Sequence, residues 1–142
     1  MIVLDTNVLV SALRSQSGVS RNILRSVFAG QIDIGASPAL FLEYEAVLSR
    51  AEQRAAFGLT LTEVREFLDG LAILSTPIAL SFLWRPQLHD AADEMVLEAA
   101  VNGMATDLVT WNVRDFKPAA HRFGLRVSPP DVFWTAFSKE LK

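Results

Sequence analysis

The chain opens on an apolar run, Ile2-Val3-Leu4, that ends in Asp5-Thr6-Asn7, after which apolar residues return at Val8, Leu9, Val10 and Leu13. A short apolar run bounded by polar residues reads as a buried strand, and the spacing after it reads as a helix. Helical patterns continue to about Phe28. The stretch from Gln31 to Ala36 reads as a second strand, closed by Ser37-Pro38. Ser at a cap and Pro at the first helical position predict a helix from Pro38 to about Ser49. Thr62-Glu63 starts another, continuing to about Leu71, and Ile73 to Leu83 leans toward strand although Pro77 interrupts it. A helix from about Ala91 to Val101 leads through Gly103 into a strand at Asp107 to Trp111, and Leu125 to Ser128 is the last strand. Strands alternating with helices of this length imply a parallel sheet covered on both faces.

That placement gives Asp5 two readings. At the end of a buried strand it delivers a carboxylate to the carboxyl edge of the sheet, where open α/β sheets build their sites. Equally, Asp5, Thr6 or Asn7 is a helix cap.

No period of repeat length is visible and no stretch has the composition of a linker, so the 142 residues read as a single domain, 1–142. With 51% hydrophobic and 20% charged residues the balance is globular, and no apolar stretch has the roughly 18 residues that would cross a bilayer. The N-terminus lacks a leading Lys or Arg and is broken by Asp5 and Asn7, unlike a signal peptide, so the expected location is cytoplasmic without membrane association. Cys is absent, which removes disulfides, thiol catalysis and thiolate ligands, and leaves carboxylates and two His for any metal. Such a metal is a hard, oxygen-liking cation. Sixteen acids against 13 bases give a net charge of -3, too negative for coating nucleic acid by bulk electrostatics. Most of the bases are Arg, which forks onto phosphate oxygens, and Arg14, Arg21 and Arg25 recur at helical spacing. Such spacing is more commonly a solvated helix face.

On a helical wheel the segment from Ala91 puts Ala92, Met95, Val96, Ala99 and Ala100 on one side and Glu94 and Glu98 on the other, as solvated residues. Asp93 falls on the shoulder, in the first turn, either favoured by the helix dipole or pointing inward. Asp90 is the simple N-cap. In the Pro38 helix Glu43 and Glu45 both flank an apolar stripe of Leu40, Tyr44, Val47 and Leu48, and periodicity does not choose between them. The alternating fold lets the ends of the first and the Asp107 strands approach the helices bearing Glu43 and Asp93. Two carboxylates about 4 Å apart repel by roughly 4 kcal/mol at an effective dielectric near 20, and a divalent cation offsets that.

Taken together, Leu4-Asp5-Thr6-Asn7-Val8, Ser37-Pro38 through Glu43-Tyr44, Asp90-Ala91-Ala92-Asp93 with the helix to Ala100, and Val109-Thr110-Trp111-Asn112-Val113-Arg114-Asp115-Phe116 resemble a PIN domain, in particular the VapC-type toxins of prokaryotic toxin-antitoxin systems. The resemblance implies a three-layer α/β/α sandwich around a parallel sheet of four or five strands, with Asp5, Glu43 and Asp93 holding Mg²⁺ or Mn²⁺. It also favours Glu43 over Glu45, because the family's Glu precedes an aromatic residue. A fourth acid is expected where this chain has Asn112, whose amide oxygen can ligate or orient water but brings no charge; Asp115 is the nearby carboxylate that could compensate. Thr6, Asn7, Asp90 and Thr110 are then residues that orient ligands or water. The implied reaction is in-line attack of metal-activated water on a phosphodiester, with a carboxylate accepting a proton.

The expected substrate is single-stranded or looped RNA, with Arg14, Arg85 and Arg114 as candidate phosphate contacts. A small antitoxin protein and a second copy of the chain are the expected partners. His89 and His121 read as structural, and Trp84, Trp111 and Trp134 as core or interface. Asn112 and the negative charge also support a catalytically weak PIN domain that binds RNA or protein. A receiver-type phosphoacceptor domain is disfavoured because no Lys precedes Lys117.

Overall fold

The computed structural model describes residues 1–81 and 87–141. Five three-residue strands, β1 (Ile2–Leu4), β2 (Ile34–Ala36), β3 (Ser75–Pro77), β4 (Asp107–Val109) and β5 (Arg126–Ser128), form one sheet in the order β3-β2-β1-β4-β5. Every pairing is parallel. The three inner strands are buried along their whole length, as their apolar composition requires, while the edge strands β3 and β5 are partly exposed. Pro77 ends an edge strand, where its missing N–H costs little.

The chain leaves β1 toward β2 and β3, then crosses to the other side of β1 to lay down β4 and β5. Strand order therefore reverses between β1 and β4, and the crevice at their carboxyl ends is where such sheets bind ligands. Register makes those ends level, with Leu4 opposite Val109. Helices α1 (Thr6–Arg14) and α2 (Val19–Phe28) join β1 to β2. Helices α3 (Pro38–Leu48), α4 (Ala51–Phe57) and α5 (Leu61–Leu74) lie between β2 and β3. Helix α6 (Ala91–Asn102) precedes β4, α7 (Val113–Arg122) joins β4 to β5, and α8 (Pro130–Glu140) follows. Crossovers of the usual right-handed sense then cover both faces of the sheet, because the chain steps in opposite directions along it. The fold is the expected α/β sandwich with five strands.

Val3, Leu4, Leu9, Ile23, Leu40, Leu97, Leu108 and Phe116 are fully buried around the sheet. Each such side chain contributes about 1.5–3 kcal/mol by leaving water, and Leu9→Ala is expected to cost about 2–5 kcal/mol once its cavity is counted. Close approach fixes Gly103, where an added Cβ would lie 2.6 Å from Ile78 Cδ1 and 2.9 Å from Met1 Cε.

Several boundaries differ from the sequence reading. Strand β2 is shorter because the Gln31 and Ile32 amides bond to the Ser26 carbonyl instead of extending the ladder. Ile73 and Leu74 belong to α5, which opens on a capping box between Thr60 and Glu63. Helix α4 has no buried residue, so no apolar stripe announces it; its signal is Gly58, which ends it in the left-handed conformation at φ 71°. Helices α7 and α8 were also absent from the pattern reading, α7 because Pro118 lies inside it.

Candidate active site

Asp5 follows β1 and Thr110 follows β4, so the level ends of the two strands bring them together. The Asp5 amide donates to the Val109 carbonyl at 2.9 Å, continuing the ladder by one residue. Asp5 occupies the N-cap position of α1, yet its side chain makes no capping hydrogen bond. The carboxylate instead accepts from the Thr110 hydroxyl at 2.7 Å. That same Thr110 oxygen accepts from the Asn112 amide at 2.9 Å and from Asn7 Nδ2 at 3.5 Å. Asn7 Oδ1 in turn accepts from the Trp111 amide at 3.2 Å. Asp5 therefore serves both readings: its carboxylate faces the Thr6 and Asn7 amides at the start of α1 and the Thr110 hydroxyl at the crevice.

Helix α3 docks on the same strand end. Ser37 caps it by accepting from the Leu40 amide, and Tyr44, buried, donates its hydroxyl to the Leu4 carbonyl. Burial, and then the charge of Asp5, push the Tyr44 phenol well above its ordinary range, so it stays a donor. Glu43, next to Tyr44, is half-buried while Glu45 is exposed.

Helix α6 brings the next acids. Asp90 caps it, accepting from the Ala92 amide at 2.8 Å, and Asp93 is half-buried in its first turn. Asp93 is raised to about 6, first by desolvation and then by the charges of Asp5, Asp90 and Asp115. Asp5, only 6% exposed, is raised as well, mainly by burial; the Thr110 hydroxyl and the amides of Thr6 and Asn7 pull it back, and Asp90 adds repulsion. Asp90, Asp93, Asp115, His89 and Arg114 line a cavity of about 450 Å³. Asp5, Asp90, Asp93 and Asp115 therefore form one electrostatic group at the carboxyl edge.

Among the described residues no three carboxylate or His side chains stand close enough to hold one ion together. The donor chemistry nevertheless fits a hard cation, because all the acids are oxygen donors and Asp5 and Asp93 are raised first by burial and then by the charges of neighbouring acids, with no cationic partner among the causes. Mg²⁺ in particular keeps several waters and is held through one or two carboxylates, which suits a site of this spacing. The hydroxyl of Thr6 is buried without a partner among the described residues, a further unmet polar group beside Asp5 in the chain.

Other expected residues fall elsewhere. Asn112 is exposed at the N-cap position of α7 and its side chain makes no capping bond. Arg114 and Asp115 are exposed in the first turn of α7. Arg14 sits in the last turn of α1, at the far end of the helix from Asp5, and its guanidinium donates to Gln53 at 2.9 and 3.1 Å. Arg21 and Arg25 donate to the Ala12 and Gln16 carbonyls, so these three arginines tie α1 to α4, α2 to α1 and α2 to the loop before it rather than form one free basic stripe. Arg85 and Trp84 lie outside the described residues.

The wheel reading of α6 was wrong at Glu94. It is 8% exposed, and its carboxylate accepts from the amides of Gln87 and Leu88, holding the segment that carries His89 and Asp90. A carboxylate that supplies acceptors to a preceding loop is invisible to periodicity. Of the core and interface readings of Trp111, its 43% exposure removes the core one, whereas Trp134 packs on Phe137 as expected of a core residue.

A family model for the PIN domain matches residues 1–114 of the chain, from β1 through β4 into the start of α7. The chain belongs to the PIN domain family. No curated protein matches it. PIN domains are typically nucleases and generally use divalent metals, so the carboxyl edge of this PIN domain, with its buried Asp5 and its group of acids, is the place where that chemistry would be housed.

Proposed function

We propose that this PIN domain is a Mg²⁺- or Mn²⁺-dependent endoribonuclease acting on single-stranded or looped RNA. The observation that carries the proposal is Asp5: a buried carboxylate with neutral donors around it, next to Asp93, whose carboxyl is raised to about 6 by burial and by its acidic neighbours. Asp5 and Asp93 would hold the cation, with Glu43 and Asp115 adding negative charge around its waters. When bound, a divalent ion lowers the pKa of water and stabilises charge on the phosphoryl oxygens.

The chain's own groups do the rest. Thr110 fixes the rotamer of Asp5, and Asn7 and Asn112 hold Thr110. A carboxylate of this acidic group would accept the proton of the attacking water. Arg114, exposed on the cavity wall, is suited to meet a backbone phosphate. The test is cleavage of RNA with Mg²⁺ or Mn²⁺ by the wild type, Asp5→Asn and Asp93→Asn. Loss of turnover in both variants is expected, and equal cleavage by all three removes the assignment.

The toxin role follows the VapC-type resemblance of the Asp5, Glu43 and Asp93 blocks, and with it a cytoplasmic location, a small antitoxin partner and a homodimer. Growth arrest on expression, relieved by the product of an adjacent reading frame, is the outcome that supports it; unchanged growth counts against it. A second reading, a PIN domain that binds without turnover, is favoured by Asn112 in place of a fourth acid. It predicts RNA or partner binding that survives Asp5→Asn with no cleavage in either metal.

A further inference from the structure

We propose that Trp111 is the platform on which an unpaired base beside the cleaved phosphodiester stacks. The inference rests on the nuclease reading above and gives its substrate a class, single-stranded nucleic acid. Val109 and Thr110 are fully buried, yet the next side chain is an indole with 43% of its surface in water. Among the described residues it has no ring contact and no side-chain hydrogen bond, so nothing in the fold accounts for an aromatic at this position.

Its backbone is nevertheless fixed. The Trp111 amide is held by Asn7 and the following amide by Thr110, the residue whose hydroxyl reaches Asp5 at 2.7 Å. The Cα of Trp111 lies one peptide, about 3.8 Å, from that of Thr110. The Trp111 backbone is thus held one residue from the hydroxyl that meets the carboxylate proposed to act on the phosphate, at the reach of a neighbouring nucleotide rather than of a distant one.

Charge supports stacking over electrostatic grip. The chain carries a net charge of -3 and gathers four acids at this edge, so phosphate attraction has only local help, with Arg114 in the first turn of α7. Stacking on an aromatic face works without net positive charge and accepts any base. It also requires the base to be out of a duplex, which excludes double-stranded substrates. Binding should accordingly fall only weakly with added salt.

The experiment measures binding in an Asp5→Asn background, which prevents turnover, using a short single-stranded RNA, the same RNA with abasic positions, and its duplex. Trp111→Ser is expected to weaken binding of the intact single strand by roughly 5- to 150-fold, with Trp111→Phe restoring most of it. Abasic RNA should not distinguish the variants, and the duplex should bind weakly to all of them. Kd values for the intact single strand that are equal in Trp111→Ser and its parent overturn the stacking role, and the nuclease reading stands if the wild type still cleaves with Mg²⁺ or Mn²⁺. Absence of both binding and cleavage of any RNA by the wild type removes both readings. A dimer lost in Trp111→Ser with RNA binding unchanged assigns the indole to a second copy of the chain and overturns the proposal.

Discussion

Two buried aspartates on neighbouring strands face opposite edges of the same sheet. Asp107 starts β4 and is 5% exposed; Asp5 follows β1 and is 6% exposed. Asp107 meets a guanidinium fork, with Arg126 Nε at 2.6 Å from one oxygen and Nη2 at 3.0 Å from the other, and a third donor from Thr106 at 2.9 Å. Asp5 meets a hydroxyl, helix-end amides and other acids. Cavity size does not separate the two edges, at about 440 Å³ beside Asp107 and about 450 Å³ beside Asp93. What separates them is whether the protein itself supplies the counter-charge. At the amino edge it does, and the carboxylate is structural. At the carboxyl edge Asp5 meets only neutral donors and other acids, which leaves its charge uncompensated, as the proposed cation site requires.

The comparison is broken most directly by exchanging the roles of the two residues. Asp5→Asn should lower RNA cleavage by about a hundredfold or more, because it removes a charge proposed to hold the metal. Its metal-free thermal stability should hold or rise, since burial already disfavours the charged form. A cleavage rate equal to wild type would place the chemistry elsewhere. Thr110→Val comes next, with an expected ten- to hundredfold loss of cleavage, because it frees the Asp5 rotamer while leaving the carboxylate in place. Steady-state rates at saturating metal check it.

Arg126→Leu tests the amino edge. It leaves Asp107 buried without its ion partner and should cost about 1–2 kcal/mol, less than a fully buried pair because the Arg126 side chain is 72% exposed. Denaturant unfolding measures the loss, and cleavage per folded molecule should not change. The smallest effect is in pH. Asp93 has a folded pKa raised above its unfolded value, so the folded state binds the extra proton and stability contributed there is lost as pH rises from about 4 through about 6. Melting curves without metal should show this decline, added Mg²⁺ should offset it more at neutral than at acid pH, and Asp93→Asn should flatten both responses.

The alternation of strands and helices was readable because the inner strands are continuous apolar runs and the Ser37-Pro38 start is chemically explicit. Asp5, Asp90 and Asp93 were readable for the same reason, each sitting at a junction where the pattern changes. Residues that work across the pattern were not. Glu94 looks solvated on a wheel, yet turns back to cap the Gln87 and Leu88 amides. Tyr44 looks like part of an apolar stripe, yet its hydroxyl fastens α3 to the end of β1. Helix α4 hides because none of its residues is fully buried and only Phe57 packs an apolar side chain against the core.

The sequence by itself determined the fold class and the candidate acids, since local period and residue chemistry travel with the chain. Only the tertiary structure decided which acids act on one another. It joined Asp5, Asp90, Asp93 and Asp115, neutralised Asp107 with Arg126 and set Trp111 in water. The physical reason is that electrostatic energy depends on distance and burial through space, and residues far apart in the chain become neighbours only when the sheet aligns the ends of β1 and β4.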